Sequence, residues 1–238
     1  MSAAVSEPIQ VPYRDGDTAL TGLLYRPAGA PRAAVLVYPT IMNQGGSVLD
    51  KAASLADSGY LAFVADFYGK QPADFEQSRE FAGEIRATPE DFRRRIRMAI
   101  AALFARPEAR DLPLAAIGFC MGGYAVLELA REGAPLEAVV SFHGLLGTDL
   151  PAEKGKVTAR ILVCHGDRDP MVPRSQVMQF WEEMDEAGAN WHFHAYSGVK
   201  HGFTNPASPP GNPAVAYDAS ADRQSWAAMH ALFDEVFG

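Results

Sequence analysis

The sequence contains little cysteine and no long hydrophobic segment. Only Cys120 and Cys164 occur among 238 residues, which is too few for a disulfide-stabilised scaffold. No stretch approaches the roughly 20 apolar residues that span a bilayer, and residues 1–17 lack the apolar run and basic leader of a signal peptide. We therefore expect a cytoplasmic protein, since a reducing compartment would also keep a working thiol reduced.

Positive charge is also scarce. The chain has 21 Lys and Arg against 29 Asp and Glu, a formal net charge of −8, and no long run of basic residues. Because binding to nucleic acids and anionic membranes depends on clustered basic side chains, we expect neither as a partner. The sequence predicts a small-molecule substrate and a monomer or small homo-oligomer. Neither G-x-G-x-x-G after a first strand nor G-K-[ST] occurs, so no cofactor is predicted.

Short apolar runs alternate with longer segments of helical periodicity. This alternation is typical of an α/β fold, and it predicts a single domain over residues 1–238 with a mostly parallel sheet of about eight strands and helices on both faces. The predicted strands are Ala19–Tyr25, Ala33–Tyr38, Leu61–Ala65, Leu114–Gly118, Ala138–Phe142, Arg160–His165 and Trp191–Tyr196. The predicted helices are Ser47–Ser58, Phe75–Ala87, Pro89–Phe104, Met121–Arg131, Pro173–Ala187 and Asp218–Phe237.

The strongest motif is Gly118-Phe119-Cys120-Met121-Gly122-Gly123, between an apolar strand and a helix rich in Ala and Leu. The spacing Gly-x-Cys-x-Gly is that of a nucleophile elbow, a sharp strand-to-helix turn that exposes the nucleophile. Glycine is needed because the turn is too tight for side chains, and the helix N-terminus favours a thiolate. The motif predicts that Cys120 is a catalytic nucleophile; the alternative is a buried structural cysteine in a Gly-rich turn.

Asp169 and His201 are the predicted partners of Cys120. A triad on this fold takes its acid after a later strand and its histidine later still. Asp169 follows the turn after the strand Arg160–His165, so its side chain could face the histidine. Asp167 is the rival acid, but it lies within the turn, where Asp commonly bonds to nearby backbone. His201 would move the thiol proton to the leaving group, and Asp169 would hold the imidazole in the required tautomer.

Backbone N–H groups are the predicted oxyanion hole. The N–H of Met121 follows the nucleophile directly, and a second N–H should come from the loop after the strand Ala33–Tyr38, where Ile41 is the expected donor. In the same loop, Thr40, Met42 and Asn43 are either pocket walls or ordinary loop residues.

Three further histidines, His143, His192 and His194, are candidates for a functional role. His143 follows the strand Ala138–Phe142, whose carboxyl end points toward the expected crevice, so it is a candidate for lining the pocket. His192 and His194 alternate along one strand, but no third ligand lies at metal spacing. We therefore predict no metal site.

The Cys elbow, with Asp169-Pro-Met-Val-Pro and His201-Gly-Phe, resembles the dienelactone hydrolase family over nearly the whole chain. The resemblance implies an α/β-hydrolase fold, the triad Cys120, Asp169 and His201, and oxyanion donors at Ile41 and Met121. The segment Asp66-Phe-Tyr-Gly-Lys-Gln is similar to a family stretch beside the pocket. The predicted substrate-binding residues are Thr40, Met42, Tyr68, Lys70, His143, Phe203 and Asn205.

Two departures from the family pattern bear on the substrate. Family members that hydrolyse dienelactone carry a glutamate in the oxyanion loop, where this chain has Thr40. They also hold the substrate carboxylate with two arginines, and the corresponding positions here are Lys70 and Asn205. At most one positive charge is kept, and the bidentate grip of Arg is lost. A neutral ester, lactone or activated aryl ester is therefore the expected substrate.

Three functional hypotheses are consistent with these residues. The leading hypothesis is hydrolysis of small esters or lactones through a covalent thioester at Cys120. The second uses the same nucleophile on neutral phosphotriesters, because thiolate leaves phosphorus more readily than alkoxide does. The third is a protein without catalysis that binds a ligand or senses oxidants through Cys120, which an intact triad disfavours.

Overall fold

The computed structural model describes residues 7–238; residues 1–6, part of the segment inspected for a leader, lie outside the described residues. The strands are β1 (Ile9–Asp15), β2 (Thr18–Tyr25), β3 (Ala34–Tyr38), β4 (Leu61–Val64), β5 (Leu114–Phe119), β6 (Ala138–Phe142), β7 (Arg160–Gly166) and β8 (Trp191–Tyr196). The helices are α1 (Gly46–Asp57), α2 (Phe75–Arg86), α3 (Pro89–Phe104), α4 (Met121–Arg131), α5 (Arg174–Ala187) and α6 (Ala219–Phe237).

The strands form one sheet in the order β1-β2-β4-β3-β5-β6-β7-β8. β1 and β2 run antiparallel to each other, as do β2 and β4, whereas the pairs β3–β4, β6–β7 and β7–β8 are parallel. Every residue of β3, β4, β5 and β6 is buried, as expected for parallel strands that helices cover on both faces. The predicted α/β fold with a mostly parallel sheet of eight strands is confirmed.

Strand β1 was not predicted. Its residues Ile9, Val11 and Tyr13 alternate with polar ones, and they are more buried than their neighbours. Pro12 lies between them, which is tolerated because β1 is an edge strand and its backbone pairs on one side only. The alternation of apolar residues was present, but it is short and interrupted by proline.

The bounds of the predicted elements agree with the structure to within about two residues.

The chain divides into two compact units, Met1–Ala115 and Ala116–Gly238. In the first unit, the buried carboxylate of Asp15 accepts hydrogen bonds from Arg94 and Arg95 on α3, which ties β1 to that helix. Within residues 7–238, no helix is both long and apolar enough to cross a bilayer. The single domain expected from the sequence stays a prediction.

In the second unit, a buried ion network anchors helix α4. The guanidinium of Arg131, 2% exposed, binds Glu128 at 2.9 Å and Glu183 of α5 at 2.8 Å. It also donates to the Leu146 carbonyl at 2.6 Å. A buried cation is tolerated only where carboxylates and hydrogen bonds compensate its desolvation, and here two carboxylates do so. The network fixes the end of α4 opposite to Cys120.

Candidate active site

Cys120 lies at a strained turn between β5 and α4. Its φ of 55° and ψ of −114° fall in a region that residues other than glycine rarely adopt, and the residue is half-buried. A Cβ atom added to Gly118 would lie 1.9 Å from the Gly122 carbonyl oxygen, so only glycine fits before the nucleophile. The turn thus has the strain and the steric demand expected of a nucleophile elbow.

Gly123 is a second position in this turn where glycine is required. A Cβ there would lie 2.7 Å from the Cα atom of Gly144 and 2.7 Å from the Ser141 hydroxyl. Helix α4 therefore begins in direct backbone contact with the end of β6. The doubled glycine after Cys120 was the available sequence signal for this second position.

Asp169 and His201 form a buried hydrogen bond. Asp169 Oδ2 lies 2.7 Å from His201 Nδ1, and the two residues are each 4% exposed. The other carboxylate oxygen of Asp169 accepts from the Met171 N–H at 2.8 Å, which fixes the orientation of the carboxylate. Nδ1 is therefore the donor toward Asp169, and Nε2 is the nitrogen available for proton transfer.

The charge state of His201 depends on its two partners. Burial alone would lower its pKa, but the hydrogen bonds and negative charges of Asp169 and Cys120 outweigh burial and raise the pKa to about 10. Nε2 is buried, and within residues 7–238 it has no standard hydrogen bond, while the Cys120 thiol is among the groups that raise the pKa of the ring. A protonated imidazole beside the thiol favours a thiolate–imidazolium pair.

Asp167, the rival acid, has a different partner. Its two carboxylate oxygens accept from the Arg174 guanidinium at 2.8 and 2.7 Å, in an exposed bidentate pair. The structure therefore brings Asp169, and not Asp167, to His201.

The loop that carries His201 is held by a Pro-rich segment. The His201 N–H donates to the Ala214 carbonyl at 3.2 Å, and its own carbonyl accepts from the Ala216 N–H at 3.1 Å. Gly202 has a φ of 69°, and a Cβ there would lie 2.9 Å from the Val215 side chain. Hydrogen bonds on both sides of His201 explain how an irregular loop can hold a side chain in one place.

His143 and Phe203 are buried and pack against each other. His143 is 2% exposed and Phe203 is fully buried, with their rings in edge contact at 5.2 Å between centroids. The His143 ring also contacts the His201 ring at 5.1 Å. Both side chains are deeply buried, and their place in the substrate pocket stays a prediction.

Asn205 has a local structural role. Its side-chain oxygen accepts from the Ala207 N–H at 3.0 Å, and its own N–H donates to the Gly202 carbonyl at 3.0 Å. The side chain therefore stabilises the turn after the histidine loop.

Within residues 7–238, no three side chains of His, Cys, Asp or Glu converge to hold a metal ion.

The other predicted residues lie in the first unit, around the loop after β3. Thr40 Oγ1 accepts from the Met42 N–H at 3.1 Å, and Tyr68 donates its hydroxyl to the Ile41 carbonyl at 3.1 Å. The Lys70 ammonium lies 3.7 Å from the centroid of the Phe81 ring. The loop is thus ordered by its own hydrogen bonds, and the only cation among the predicted binding residues is engaged by an aromatic face.

Asn43 and Asp66 stabilise this loop through a hydrogen bond that was not predicted from the sequence. Asn43, 3% exposed with a φ of 57°, donates to Asp66 Oδ1 at 2.9 Å. Asp66 also accepts from the N–H groups of Thr21, Tyr68 and Gly69 at 2.9, 3.0 and 2.9 Å. The carboxylate thus binds the backbone of two segments and the side chain of Asn43, and two of these partners, Thr21 and Asn43, lie 45 and 23 residues away along the chain.

A strained nucleophile elbow on a mostly parallel sheet, followed in chain order by an acid and a histidine, defines an α/β-hydrolase. The chain belongs to the dienelactone hydrolase family, whose family model matches residues 20–237. It is therefore a member of a family of hydrolases.

Comparison with known proteins gives the same family. The structure of m3DLH has 36% sequence identity and a TM-score of 0.91, with 98% of this chain and 99% of that chain covered. A dienelactone hydrolase-like promiscuous phosphotriesterase from metagenomic libraries has 37% identity and a TM-score of 0.89, with 97% and 98% covered. A probable 2-oxo-3-(5-oxofuran-2-ylidene)propanoate lactonase of Bradyrhizobium is 27% identical over 183 residues, which are 71% of this chain and 73% of that protein.

Proposed function

We propose that this chain hydrolyses neutral carboxylic esters and lactones, activated aryl esters among them. Cys120 is the nucleophile, His201 carries the proton and Asp169 holds His201. The observation that carries the proposal is the buried 2.7 Å hydrogen bond between Asp169 and His201, beside a thiol that helps to raise the His201 pKa. A buried carboxylate–imidazole pair next to a nucleophile at a strained elbow is the arrangement that acyl transfer requires.

In the first half of the reaction, the Cys120 thiolate attacks the carbonyl carbon. The bond to the leaving oxygen breaks as His201 Nε2 gives that oxygen its proton, and an acyl-thioester remains on the sulfur. In the second half, Nε2 takes a proton from water, the hydroxide attacks the thioester, and the carbon–sulfur bond breaks. The thiolate returns, and the product acid leaves.

The negative oxygen that forms in each half needs N–H donors. The proposed donor in the second unit is the Met121 N–H, because it belongs to the first turn of α4 and follows the nucleophile directly. Ile41 stays the predicted second donor. Losing one such donor typically costs about 3 kcal/mol of transition-state stabilisation.

The scarcity of available positive charge supports a neutral substrate. By the family resemblance, Lys70 and Asn205 stand where two arginines would hold a carboxylate. The Lys70 ammonium is engaged by the Phe81 ring and the Asn205 oxygen by a local turn. A substrate carboxylate would therefore lack a bidentate partner at these positions, and its desolvation would be poorly compensated.

A second candidate function is hydrolysis of neutral phosphotriesters. It is favoured by the similarity, at 37% identity over nearly the full length of both chains, to a promiscuous phosphotriesterase. Cys120 would attack phosphorus and displace the aryloxide, and water would then break the phosphorus–sulfur bond to release a dialkyl phosphate. Thiolate is a better leaving group than alkoxide, so the phospho-enzyme could turn over.

The test is a substrate panel measured with the wild-type protein, Cys120→Ala and Cys120→Ser. The panel contains p-nitrophenyl esters of increasing chain length, diethyl p-nitrophenyl phosphate and a muconolactone-type anion. Cys164→Ala is the matched control, since Cys164 is fully buried in β7 and its thiol has a pKa raised to about 12 by burial.

We expect the neutral esters to be hydrolysed fastest and the anionic lactone slowest. Cys120→Ala should abolish turnover, and Cys164→Ala should leave it within about twofold, as a change remote from the reacting atoms should. Cys120→Ser should release a single equivalent of p-nitrophenol from the phosphotriester and then stop. Turnover that survives Cys120→Ala would overturn the covalent mechanism, and a chain that hydrolyses no substrate while Cys120 oxidises readily would favour the thiol sensor.

A further inference from the structure

His143 occupies an unusual place directly after β6. Its φ of 42° lies in the left-handed region, which a non-glycine residue adopts only where the surroundings impose it. The residue is 2% exposed, and its backbone N–H donates to the Cys164 carbonyl of β7 at 2.8 Å. The strained backbone therefore holds this imidazole in the interior, against the ring of His201.

The hydrogen bonds of His143 fix its charge and its tautomer. Nδ1 accepts from the backbone N–H of Cys120 at 3.1 Å, so Nδ1 carries no proton. Nε2 lies 2.9 Å from Thr204 Oγ1 and must carry the ring proton. His143 is thus neutral, which matters because a second positive charge beside His201 would disfavour the imidazolium that pairs with the thiolate.

One ring connects the nucleophile to the loop that bears the base. On one side, the Cys120 N–H is shared between His143 and the Phe142 carbonyl, at 3.1 and 3.0 Å. On the other side, Thr204 follows His201 by three residues, and the His143 ring lies edge-on to the His201 ring at 5.1 Å. Displacement of His143 would therefore move Cys120 and His201 relative to each other.

We propose that His143 is a positioning residue that sets the geometry between the Cys120 sulfur and the His201 imidazole. The inference rests on the proposed function, in which these two side chains exchange a proton. His143 acts through the Cys120 backbone, through Thr204 and through its edge contact with the His201 ring. A small displacement of reacting groups can cost about 100-fold in rate, which sets the size of the expected effect.

Four substitutions separate the two hydrogen bonds of the ring. His143→Phe keeps an aromatic ring and removes both bonds. His143→Asn returns an acceptor to the position of Nδ1, and Asn also tolerates a positive φ. His143→Gln returns a donor toward Thr204 without the acceptor. Thr204→Val, at a residue 4% exposed, removes the bond to Nε2 while it keeps the side-chain volume.

The readouts are kcat/KM for a p-nitrophenyl ester, the second-order rate of Cys120 alkylation by iodoacetamide, and the thermal midpoint. We expect His143→Phe to lower kcat/KM and the alkylation rate, each by about 10- to 100-fold, and His143→Asn to recover both to within about threefold. We expect Thr204→Val and His143→Gln to fall between these two. A merely structural role would make the rates follow the thermal midpoint, and Asn would then give no rescue.

Two results would overturn the proposal: rates in His143→Phe within twofold of the wild type, or rates in His143→Asn as low as in His143→Phe. The alkylation measurement needs no substrate, so it separates this proposal from the proposed function. If Cys120→Ala kept full hydrolysis, the proposed function would fall, while slow Cys120 alkylation in His143→Phe that Asn rescues would still support the positioning role. Cys164, buried in the same chain, gives the background alkylation.

Discussion

Two aspartates at the end of β7 form ion pairs of equal length in opposite surroundings. Asp169 lies 2.7 Å from His201, with side chains 0% and 5% exposed, and Asp167 lies 2.7 Å from Arg174, with side chains 21% and 81% exposed. The first pair is shielded from water, whereas the second is solvated and screened by salt. The two pairs therefore differ in burial and not in distance, and burial distinguishes the catalytic candidate from the surface contact.

The largest expected effect comes from Asp169→Asn, which removes the charge and lets the imidazole adopt the wrong tautomer. In a triad, this change lowers kcat by about 10,000-fold. We expect a loss of that order for p-nitrophenyl ester hydrolysis, with Asp167→Asn as the matched control at nearly wild-type activity. Equal losses in the two variants would remove the distinction between the two aspartates.

Gly166→Ala should be the next most severe change. Gly166 ends β7, and a Cβ there would lie 2.6 Å from the Val199 carbonyl oxygen and 2.7 Å from that of Lys200, directly before His201. The histidine loop must therefore shift, and we expect kcat/KM to fall about 10- to 100-fold. Gly83→Ala, in α2 with no atom near the added Cβ, is the control and should keep full activity. Full activity in Gly166→Ala would mean that this corner is looser than the structure indicates.

The buried pair should also give stability a pH dependence that the exposed pair lacks. The folded pKa of His201 is raised from 6.5 to about 10, so the protonated ring stabilises the folded state below pH 6.5 and this contribution is lost as pH rises through 10. We expect the unfolding free energy difference between wild type and His201→Gln to shrink across this window, by at most about 1.4 kcal/mol per pH unit. Urea titrations at several pH values measure it.

Arg174→Gln is the matched control for that titration, because Arg174 stays charged throughout the window and its difference from wild type should be constant. This substitution should also have the smallest effect on the unfolding free energy, and the effect should shrink further at high salt because the pair is exposed and screened. If the unfolding free energy difference between wild type and Arg174→Gln changed with pH as strongly as that for His201→Gln, the buried pair could not be the source of the pH dependence.

The sequence was sufficient for the parts of the site that depend on local pattern. The Gly-x-Cys-x-Gly elbow and the order of nucleophile, acid and base follow from residue type and position, and the choice of Asp169 over Asp167 followed from their places in one turn. The central parallel strands were predictable because they are continuous apolar runs separated by clear helical segments. These features need no knowledge of distant contacts.

The parts that the sequence did not predict depend on pairings between distant segments. The bond of His143 to Cys120 spans 23 residues and its bond to Thr204 spans 61, so no local period encodes either. Asn43 and Asp66, paired across 23 residues, resemble ordinary loop residues in sequence. Strand β1 was missed because its alternation is short and broken by Pro12, although pairing with β2 stabilises it.

The most direct test of the central claim is to identify the atom that carries the acyl group. The protein is mixed with p-nitrophenyl acetate, quenched with acid within the first turnover, digested and analysed by mass spectrometry, with Cys164 as the internal comparison. We expect one acetyl group per chain on the peptide that contains Cys120, gone after longer incubation and absent from Cys120→Ala. Turnover without acetyl on Cys120 at any time, or acetyl on another residue that is formed and lost at the rate of hydrolysis, would contradict it.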